Sequence, residues 1–284
     1  MHDNPHTAPM HEFHLPGHAV LALRGRDSVS FAQSQFMNDV TALADGQWQW
    51  NGWLNAKGRV IALFALLRLA PETLWLLLPD ADAATLSAQL QRYVFRSKVA
   101  LEVLPQRIHG RFGPPGHAGG ATLAVLADGT VELDMTANGG PRTLTIGSSC
   151  CSDDADAVAR WQACDLRHGL PHLPAPQVER WTPQQLSLQH LHAFSVKKGC
   201  YPGQEIVART HFLGQAKRGL TLLEGEATLA AGLAVCADGQ ALGEVVSAMG
   251  AWGLAVLPTE CTDRALRAGD TPVRAHSLAD GLAR

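Results

Sequence analysis

The densest group of chemically capable side chains lies between Lys197 and Glu205, where the sequence reads KKGCYPGQE. Two glycines and a proline predict a tight turn, and the residues after Gly203 have the composition of a helix. Cys200 then lies just outside a helix N-terminus, where the helix dipole and the charges of Lys197 and Lys198 favour a thiolate. This pattern is typical of a reactive or metal-touching cysteine. A turn that holds a buried structural cysteine is the alternative that the residues leave open.

The elements before this segment alternate in type. The predicted order is β-α-β-β-β-α-β, with strands at Ala19–Leu23, Gln47–Asn55, Arg59–Leu69, Thr73–Leu78 and Val99–Leu104 and helices from Asp27 to about Leu43 and over Asp82–Arg96. Such an order predicts an α+β fold, with helices packed on one face of an antiparallel sheet. Trp48 and Trp50 share one face of a strand and Trp53 lies on the other. Because no basic cluster accompanies them, core packing is favoured over a platform for nucleic acid.

The second half of the chain changes character twice. A glycine-rich seam over 110–120 precedes three short strands (Thr122–Leu126, Thr130–Met135, Arg142–Ile146), a helix over Asp153–Arg167, an irregular stretch over 168–184 and a helix over Pro183–His192. Beyond Gly219, short apolar runs separated by Gly and Asp turns predict an antiparallel β-barrel of about 65 residues. We therefore divide the chain into a flexible tail (1–17), an α+β region with a seam near 106–120 (18–218) and the barrel (219–284).

Composition limits the class of protein. The chain has 284 residues, of which 17% are charged, and a formal net charge of −3. This is typical of a folded protein, and the mildly acidic balance argues against stable nucleic-acid binding. No apolar run approaches the ~20 residues that span a bilayer, and no signal peptide is visible. We expect a cytoplasmic protein without a membrane segment.

Neither the cysteines nor the histidines form a recognisable metal site. Six cysteines are scattered without a CxxC pair, and the neighbours Cys150 and Cys151 make an awkward pair for a disulfide. His190 with His192, and His168 with His172, lack a nearby third ligand. No metal site and no disulfide framework are expected.

Four segments together resemble a known family. Lys198-Gly199-Cys200-Tyr201, followed by Gly203-Gln204-Glu205, resembles the signature of the YgfZ family, which is related to the T-protein (aminomethyltransferase) of the glycine cleavage system. In order along the chain, three further matches are Gly25-x-Asp27 with Phe31-x-Gln33-x-Gln35-x-x-x-Asp39-Val40, Ala56-Lys57-Gly58-Arg59, and Arg167-x-Gly169-Leu170-Pro171. The first string is specific, and the order of the others adds weight to it.

The resemblance implies a three-part T-protein-like fold around a central cavity that holds tetrahydrofolate or a derivative. It places the key cysteine and lysine at Cys200 and Lys198, and a tryptophan that lines the folate site at Trp161. Asp39 is the carboxylate expected to bind the pterin ring. Gln204 and Arg167 are counted with these cofactor-binding residues.

The function that the resemblance implies is the assembly, maintenance or repair of iron–sulfur clusters in client enzymes, with an indirect effect on tRNA modification. The partners are then client enzymes or cluster-assembly machinery, and the protein is an accessory maturation factor, with a monomer favoured. One thiolate does not hold a cluster alone, so contact with a cluster is transient or shared. The alternative is a folate-dependent aminomethyltransferase or demethylase, for which Asp39 is the carboxylate to steer the amine. A direct tRNA-modifying enzyme is disfavoured by the charge balance.

Overall fold

The computed structural model describes residues 11–149, 151–214, 216–259 and 264–284. Within them the strands are β1 (Glu12–His14), β2 (Ala19–Arg24), β3 (Gln47–Leu54), β4 (Val60–Ala70), β5 (Thr73–Leu78), β6 (Ala100–Leu104), β7 (Arg107–Arg111), β8 (Ala124–Val125), β9 (Val131–Asp134), β10 (Thr143–Gly147), β11 (Arg218–Gly225), β12 (Ala234–Ala237), β13 (Gln240–Met249), β14 (Trp252–Pro258), β15 (Leu266–Ala268) and β16 (Thr271–His276). The α-helices are α1 (Ser28–Gln35), α2 (Ala83–Gln91), α3 (Ala155–Arg167) and α4 (Gln204–Leu213).

The first sheet is antiparallel, with strand order β3-β4-β5-β2-β6. Its central strands β4 and β5 are buried on both faces, so they read as nearly continuous apolar runs. One face packs against α1 and α2, and the other against the rest of the molecule. Trp48 and Trp50 belong to the core of the second face and Trp53 to that of the first, as the strand periodicity predicts.

Both helices of this layer end earlier than predicted. α1 stops at Gln35 rather than near Leu43, because Phe36 is extended and the side chain of Asn51 accepts a hydrogen bond from the backbone of Asn38. α2 stops at Gln91 rather than Arg96. In both segments apolar residues continue at helical spacing beyond the helix, so periodicity alone overestimates its length.

The second sheet has the order β1-β7-β10-β9-β8. Its first strand is a correction to the predicted flexible tail, since Glu12–His14 pairs with β7 and Phe13 is fully buried. β7 is a second correction, because it lies in the predicted seam near 106–120 and pairs with both β1 and β10. His11 and His14 contact Asp154 and Asp153 rather than solvent alone. The remainder of the predicted tail, residues 1–10, lies outside the described residues, as do Cys150 and Cys261.

The C-terminal strands close into an antiparallel barrel of order β11-β14-β13-β12-β15-β16, as predicted from the spacing of the apolar runs. β15 is the strand that the sequence did not indicate, because its three residues are too few to show an alternating pattern. The barrel has its own apolar core, centred on residues such as Val235, Val245 and Leu257. It is joined to the rest of the molecule through α3, which packs against β13 and β14.

The predicted helix over Pro183–His192 is wrong. The structure has a series of turns there, and Ser187 and His192 adopt left-handed backbone conformations with φ of 47° and 56°. A left-handed residue interrupts the helical hydrogen-bond series, although Leu188 and Leu191 remain fully buried. The apolar spacing therefore reflects core packing of an irregular segment.

A segment after the barrel returns to the rest of the molecule. Trp50 Nε1 donates to Leu282 O at 2.8 Å, and His190 Nε2 lies 2.9 Å from Ala279 O. Leu282 is buried in the same core as the second face of the first sheet. Arg284 donates to the backbone of the second sheet at Asp134. This short segment thus contacts the first sheet, the turns over 183–192 and the second sheet.

A buried charge network joins the first sheet, the second sheet and α3. His172 contacts Asp80 through Nδ1 at 2.5 Å and Asp165 through Nε2 at 3.3 Å, and Arg142 donates to the other oxygen of Asp165 at 2.8 Å. Burial by itself lowers the pKa of His172, but the two carboxylates outweigh it and raise that pKa to about 10. The imidazolium is therefore a permanent part of the fold at neutral pH.

Replacing His172 by Gln should lower the free energy of unfolding by about 3–5 kcal/mol near pH 6.5, because the buried carboxylate of Asp165 and the partly exposed carboxylate of Asp80 lose their shared cation. The folded pKa lies above the unfolded value of 6.5, so the stabilisation is present in full below pH 6.5 and disappears as the pH rises to about 10. Urea denaturation across this range should show the two proteins converging.

The matched control is His276→Gln, which removes a half-exposed histidine 3.0 Å from Glu224. It should change stability by less than about 1 kcal/mol. Parallel stability curves for wild type and His172→Gln between pH 6.5 and 10 would contradict the assignment of a buried imidazolium.

Candidate functional site

The loop that carries Cys200 is fixed by a close backbone approach. Gly203, which begins α4, has φ of 77° and lies against the turn between β3 and β4. A Cβ atom at Gly203 would come within 2.6 Å of Asn55 O and 2.7 Å of Gly58 Cα. Glycine at this position thus serves both the left-handed conformation and the contact. The sequence signature around Cys200 and the Ala56-Lys57-Gly58 turn are therefore parts of one local structure.

Lys198 links this loop to the end of α1. Its side chain is buried, and Nζ donates hydrogen bonds to Gln33 O at 2.6 Å, to Phe36 O and to Asn38 O at 3.1 Å. Three carbonyls match the three N–H donors of an ammonium group, and the end of a helix favours a positive charge. Burial lowers the pKa of Lys198 to about 8, and the nearby Asp39 carboxylate opposes that shift.

Cys200 is exposed, two residues beyond Lys198 and just before α4, as predicted. The described hydrogen bonds of Lys198 Nζ all go to carbonyls at and after the end of α1, and none of them goes to Cys200. Gln204 donates to Lys198 O at 3.1 Å and so ties the first turn of α4 to the loop. Both residues hold the loop that presents Cys200.

Asp39 directly follows Asn38, whose backbone carbonyl accepts a hydrogen bond from Lys198. Its Oδ1 atom accepts hydrogen bonds from Thr41 Oγ1 at 2.6 Å, from Thr41 N at 3.1 Å and from Gln33 Nε2 at 3.1 Å. The Thr41 hydroxyl is the main reason that the pKa of Asp39 is lowered, with the other donors adding to the effect. The group is an oriented, ionised carboxylate, and its Oδ2 atom retains acceptor capacity for a ligand.

A cleft of about 550 Å³ opens beside Asp39. Its walls come from the segment after α1, from β3, from the turns over 189–197, from α4 and from the C-terminal segment. The charged or titratable side chains on these walls are Asp39, His192, Lys197, His211 and Arg284. One carboxylate therefore faces a cleft with several basic groups, in a volume typical of sites for small organic molecules.

The structure does not bring Trp161 and Arg167 to this cleft. Trp161 is fully buried in α3, with Phe13 edge-on at 6.0 Å and Arg142 over its ring at 4.6 Å. It has no exposed face on which a ligand could stack, which corrects the expectation that it lines the folate site. Arg167 instead lies over the ring of Trp252 in the barrel, at 4.4 Å.

Several cleft residues were not indicated by the sequence. Arg284 is more than 200 residues from Asp39 in sequence, and it reaches the cleft because the segment after the barrel folds back. Asn38 donates from Nδ2 to Trp50 O and His192 O, joining β3 to the turns over 189–197. The adjacent Asn38-Asp39 pair near a predicted helix end was the one local signal available.

The histidine pairs considered as metal ligands have other roles. His172 belongs to the buried charge network, His168 Nδ1 lies 2.7 Å from Cys164 O, and His190 contacts the C-terminal segment. Within residues 11–149, 151–214, 216–259 and 264–284, no cluster of three or more His, Cys, Asp or Glu side chains has a geometry that could hold a metal ion.

No helix in the described part of the chain is both long and apolar enough to cross a membrane.

Comparison with known proteins gives three findings. A family model described as the CAF17 C-terminal beta-barrel domain matches residues 217–279. The chain is 29% identical over 222 residues to the tRNA-modifying protein YgfZ of Aliivibrio fischeri, covering 73% of this chain and 69% of the relative. Its fold is similar to that of the glycine cleavage system aminomethyltransferase T from Bartonella henselae, with a TM-score of 0.75 and 17% identity over 96% of this chain and 86% of the other.

The matched barrel coincides with the closed barrel described above, and the aminomethyltransferase match extends over the α+β region as well. The fold is therefore the α+β fold of an aminomethyltransferase T with a C-terminal antiparallel barrel. Together with the Lys198-Gly199-Cys200-Tyr201 signature, these findings support assignment of the chain to the YgfZ family.

Proposed function

We propose that the protein binds tetrahydrofolate or a derivative in the cleft beside Asp39. It uses Cys200 in the assembly, maintenance or repair of iron–sulfur clusters in client enzymes. The observation that carries this proposal is the Lys198 linkage, because it holds the cysteine loop and the Asp39 segment as one unit. An effect on tRNA modification then follows through iron–sulfur enzymes that act on tRNA, in keeping with the name of the Aliivibrio relative.

The cleft suits the two ends of a folate. A pterin ring presents an amino group and a ring N–H, both donors that an ionised carboxylate such as Asp39 can accept. The glutamate tail carries carboxylates, for which Lys197, His211 and Arg284 provide positive or donor groups. The bound folate would supply one-carbon chemistry or redox protection, and the residues of this chain would bind and orient it.

Exposure of Cys200 supports contact with a second protein rather than with a buried substrate. A single cysteine supplies one of the several ligands that an iron–sulfur cluster requires, so the other ligands must come from the client or the assembly machinery. The close approach of Gly203 to Gly58 and the hydrogen bond from Gln204 to Lys198 O restrict the loop. They therefore restrict the position of the thiol.

Folate binding is tested first with the variant Asp39→Asn, followed by titration of tetrahydrofolate under anaerobic conditions. The Cζ atom of Arg284 lies 5.3 Å from the centre of the Trp48 ring, so Trp48 is the tryptophan whose fluorescence we expect bound folate to quench. Loss of a charge-assisted hydrogen bond of about 1.5–3 kcal/mol should raise the Kd about 10- to 150-fold.

The control is Asp128→Asn. Asp128, like Asp39, accepts a hydrogen bond from the backbone N–H two residues later, but it lies in the turn between β8 and β9. It should leave the Kd unchanged. Equal affinities for wild type and Asp39→Asn, or no saturable binding by wild type, would remove the folate part of the proposal.

The cysteine is tested separately in a strain that lacks the protein. Cys200→Ala should fail to restore the activity of iron–sulfur client enzymes while retaining the thermal stability of the wild type, because an exposed side chain contributes little to the fold. Cys236→Ala, in the barrel, is the matched cysteine variant and should restore activity. Full restoration by Cys200→Ala would show that the thiol is dispensable.

A further inference from the structure

The early end of α2 exposes a turn with unusual side chains. The segment Arg92–Lys98 reads RYVFRSK and connects α2 to the edge strand β6. Phe95 is 92% exposed and Tyr93 50% exposed, although the ring of Tyr93 rests edge-on against the buried Trp53 at 5.8 Å. Two aromatic side chains are thus held at the surface, one of them almost free of contacts with the protein.

The position of this turn is fixed by its last residue. Asp27 Oδ2 accepts a hydrogen bond from Lys98 N at 2.6 Å, and a Cβ atom on Gly25 would collide with Lys98 O. The turn is therefore anchored at Lys98 to the β2–α1 connection and, through Tyr93, to Trp53 in β3. The exposed aromatic side chains stand on a supported backbone.

Cations accompany the aromatic side chains. Arg92, Arg96 and Lys98 are all exposed. None of their side chains has an ion-pair partner among the residues that the structure describes. Arg24 and Arg26 lie on the neighbouring connection, but they are engaged with Glu102 at 3.6 Å and Asp27 at 3.9 Å. The turn therefore presents three unpaired positive charges around two aromatic rings, although the whole chain has a net charge of −3.

We propose that the Arg92–Lys98 turn binds an unpaired nucleic-acid strand, with a base stacked on Phe95 and phosphates contacted by Arg92, Arg96 and Lys98. Exposed aromatic faces between cations are the combination by which proteins bind single strands, since every base has a face to stack and every nucleotide a phosphate. The ring of Phe95 projects from a turn and is almost fully exposed, so it suits a flat ring better than an apolar side chain of an acidic protein.

This inference is independent of the folate and cysteine proposals, because it uses none of their residues. It also refines the expectation from composition. Net charge opposes non-specific binding to duplexes, which depends on many phosphate contacts, whereas a short single strand needs only a few. Binding is then local, confined to a strand that offers splayed bases, as the loops of folded RNA do.

The test measures fluorescence anisotropy of a labelled 12-nucleotide oligouridylate, with oligothymidylate and a 12-base-pair DNA duplex in parallel, using the full chain at several salt concentrations. Phe95→Ala should weaken single-strand binding about fivefold or more, since base stacking on one aromatic side chain contributes at least that much. The double variant Arg92→Gln/Arg96→Gln should reduce the slope of log K against log salt by about 1.4, from about 0.7 per phosphate contact.

Matched controls remove similar groups elsewhere. Phe212→Ala deletes another strongly exposed phenylalanine, and Arg264→Gln/Arg274→Gln removes two exposed charges from the barrel. Both should bind like wild type. Loss at Phe95 and at the arginines, with the controls intact, supports the proposal, and a preference for oligouridylate over oligothymidylate identifies RNA as the ligand.

Three outcomes overturn the inference. These are no binding by wild type at low salt, equal binding by Phe95→Ala and wild type, and tighter binding to the duplex than to the single strands. If polyglutamate displaces the oligonucleotide and Phe95→Ala has no effect, the turn is a surface for an acidic protein instead. Circular dichroism and thermal unfolding of each variant establish that the fold is retained.

Discussion

The candidate site depends on one buried ammonium group. Lys198 Nζ donates to three backbone carbonyls at and after the end of α1, where the helix has no partners of its own for these oxygens. Removing a charge from water costs several kcal/mol unless the lost hydrogen bonds are replaced, and here all three are. The result is a link of about 160 residues in sequence between the Cys200 loop and the Asp39 segment.

This linkage explains why α1 has to be short. If the helix continued to Leu43, the carbonyls of Gln33 and Phe36 would bond to backbone N–H groups farther along it and would be less open to Lys198. Asn38 and Asp39 instead turn the chain, with side-chain hydrogen bonds that compete with helix formation. Lys198 and the end of α1 therefore depend on each other, since the ammonium group needs the free carbonyls that the end of the helix provides.

The cleft has a second requirement, which is the return of the C-terminal segment. Arg284 reaches the cleft because the backbone around Leu282 is bound by Trp50 and the backbone of Ala279 by His190. The barrel therefore contributes to the cleft, since its position determines where the C-terminal segment re-enters the core. The network of Asp80, His172 and Asp165 fixes the α3 side of the same junction.

Much of the fold follows from local sequence because its strands have strong, short-range signals. Apolar runs separated by turn residues identified five strands of the first sheet and five of the six in the barrel. The helix ends, the turns over 183–192 and strands β1 and β7 were missed, because each depends on contacts with distant residues. Phe13 becomes part of a strand only because β7 offers it an edge.

The candidate site likewise has residues that local sequence identifies and residues that only the structure identifies. Cys200, Lys198 and Gln204 could be identified from a compact motif, and the structure places them in one loop. What the motif cannot show is the partner of the lysine, whose ammonium group bonds to backbone carbonyls at and after the end of α1. Trp161 illustrates the opposite error, since a tryptophan beside a glycine-proline loop suits a ligand site and a core equally well. Its complete burial between Phe13 and Arg142 decides for the core.

The same reasoning bears on Arg92–Lys98. Apolar spacing suggests that Tyr93 continues the buried face of α2, and on that interpretation the segment carries no function. The chain has to leave the helix, however, because β6 must run antiparallel to β2 and Lys98 must meet Asp27. Once the helix ends at Gln91, Phe95 has no core to enter. A phenylalanine left in water beside unpaired cations contributes none of the free energy that its burial would provide. Binding of a ligand that covers the ring and neutralises the charges would bury the apolar surface of Phe95 and give the cations partners.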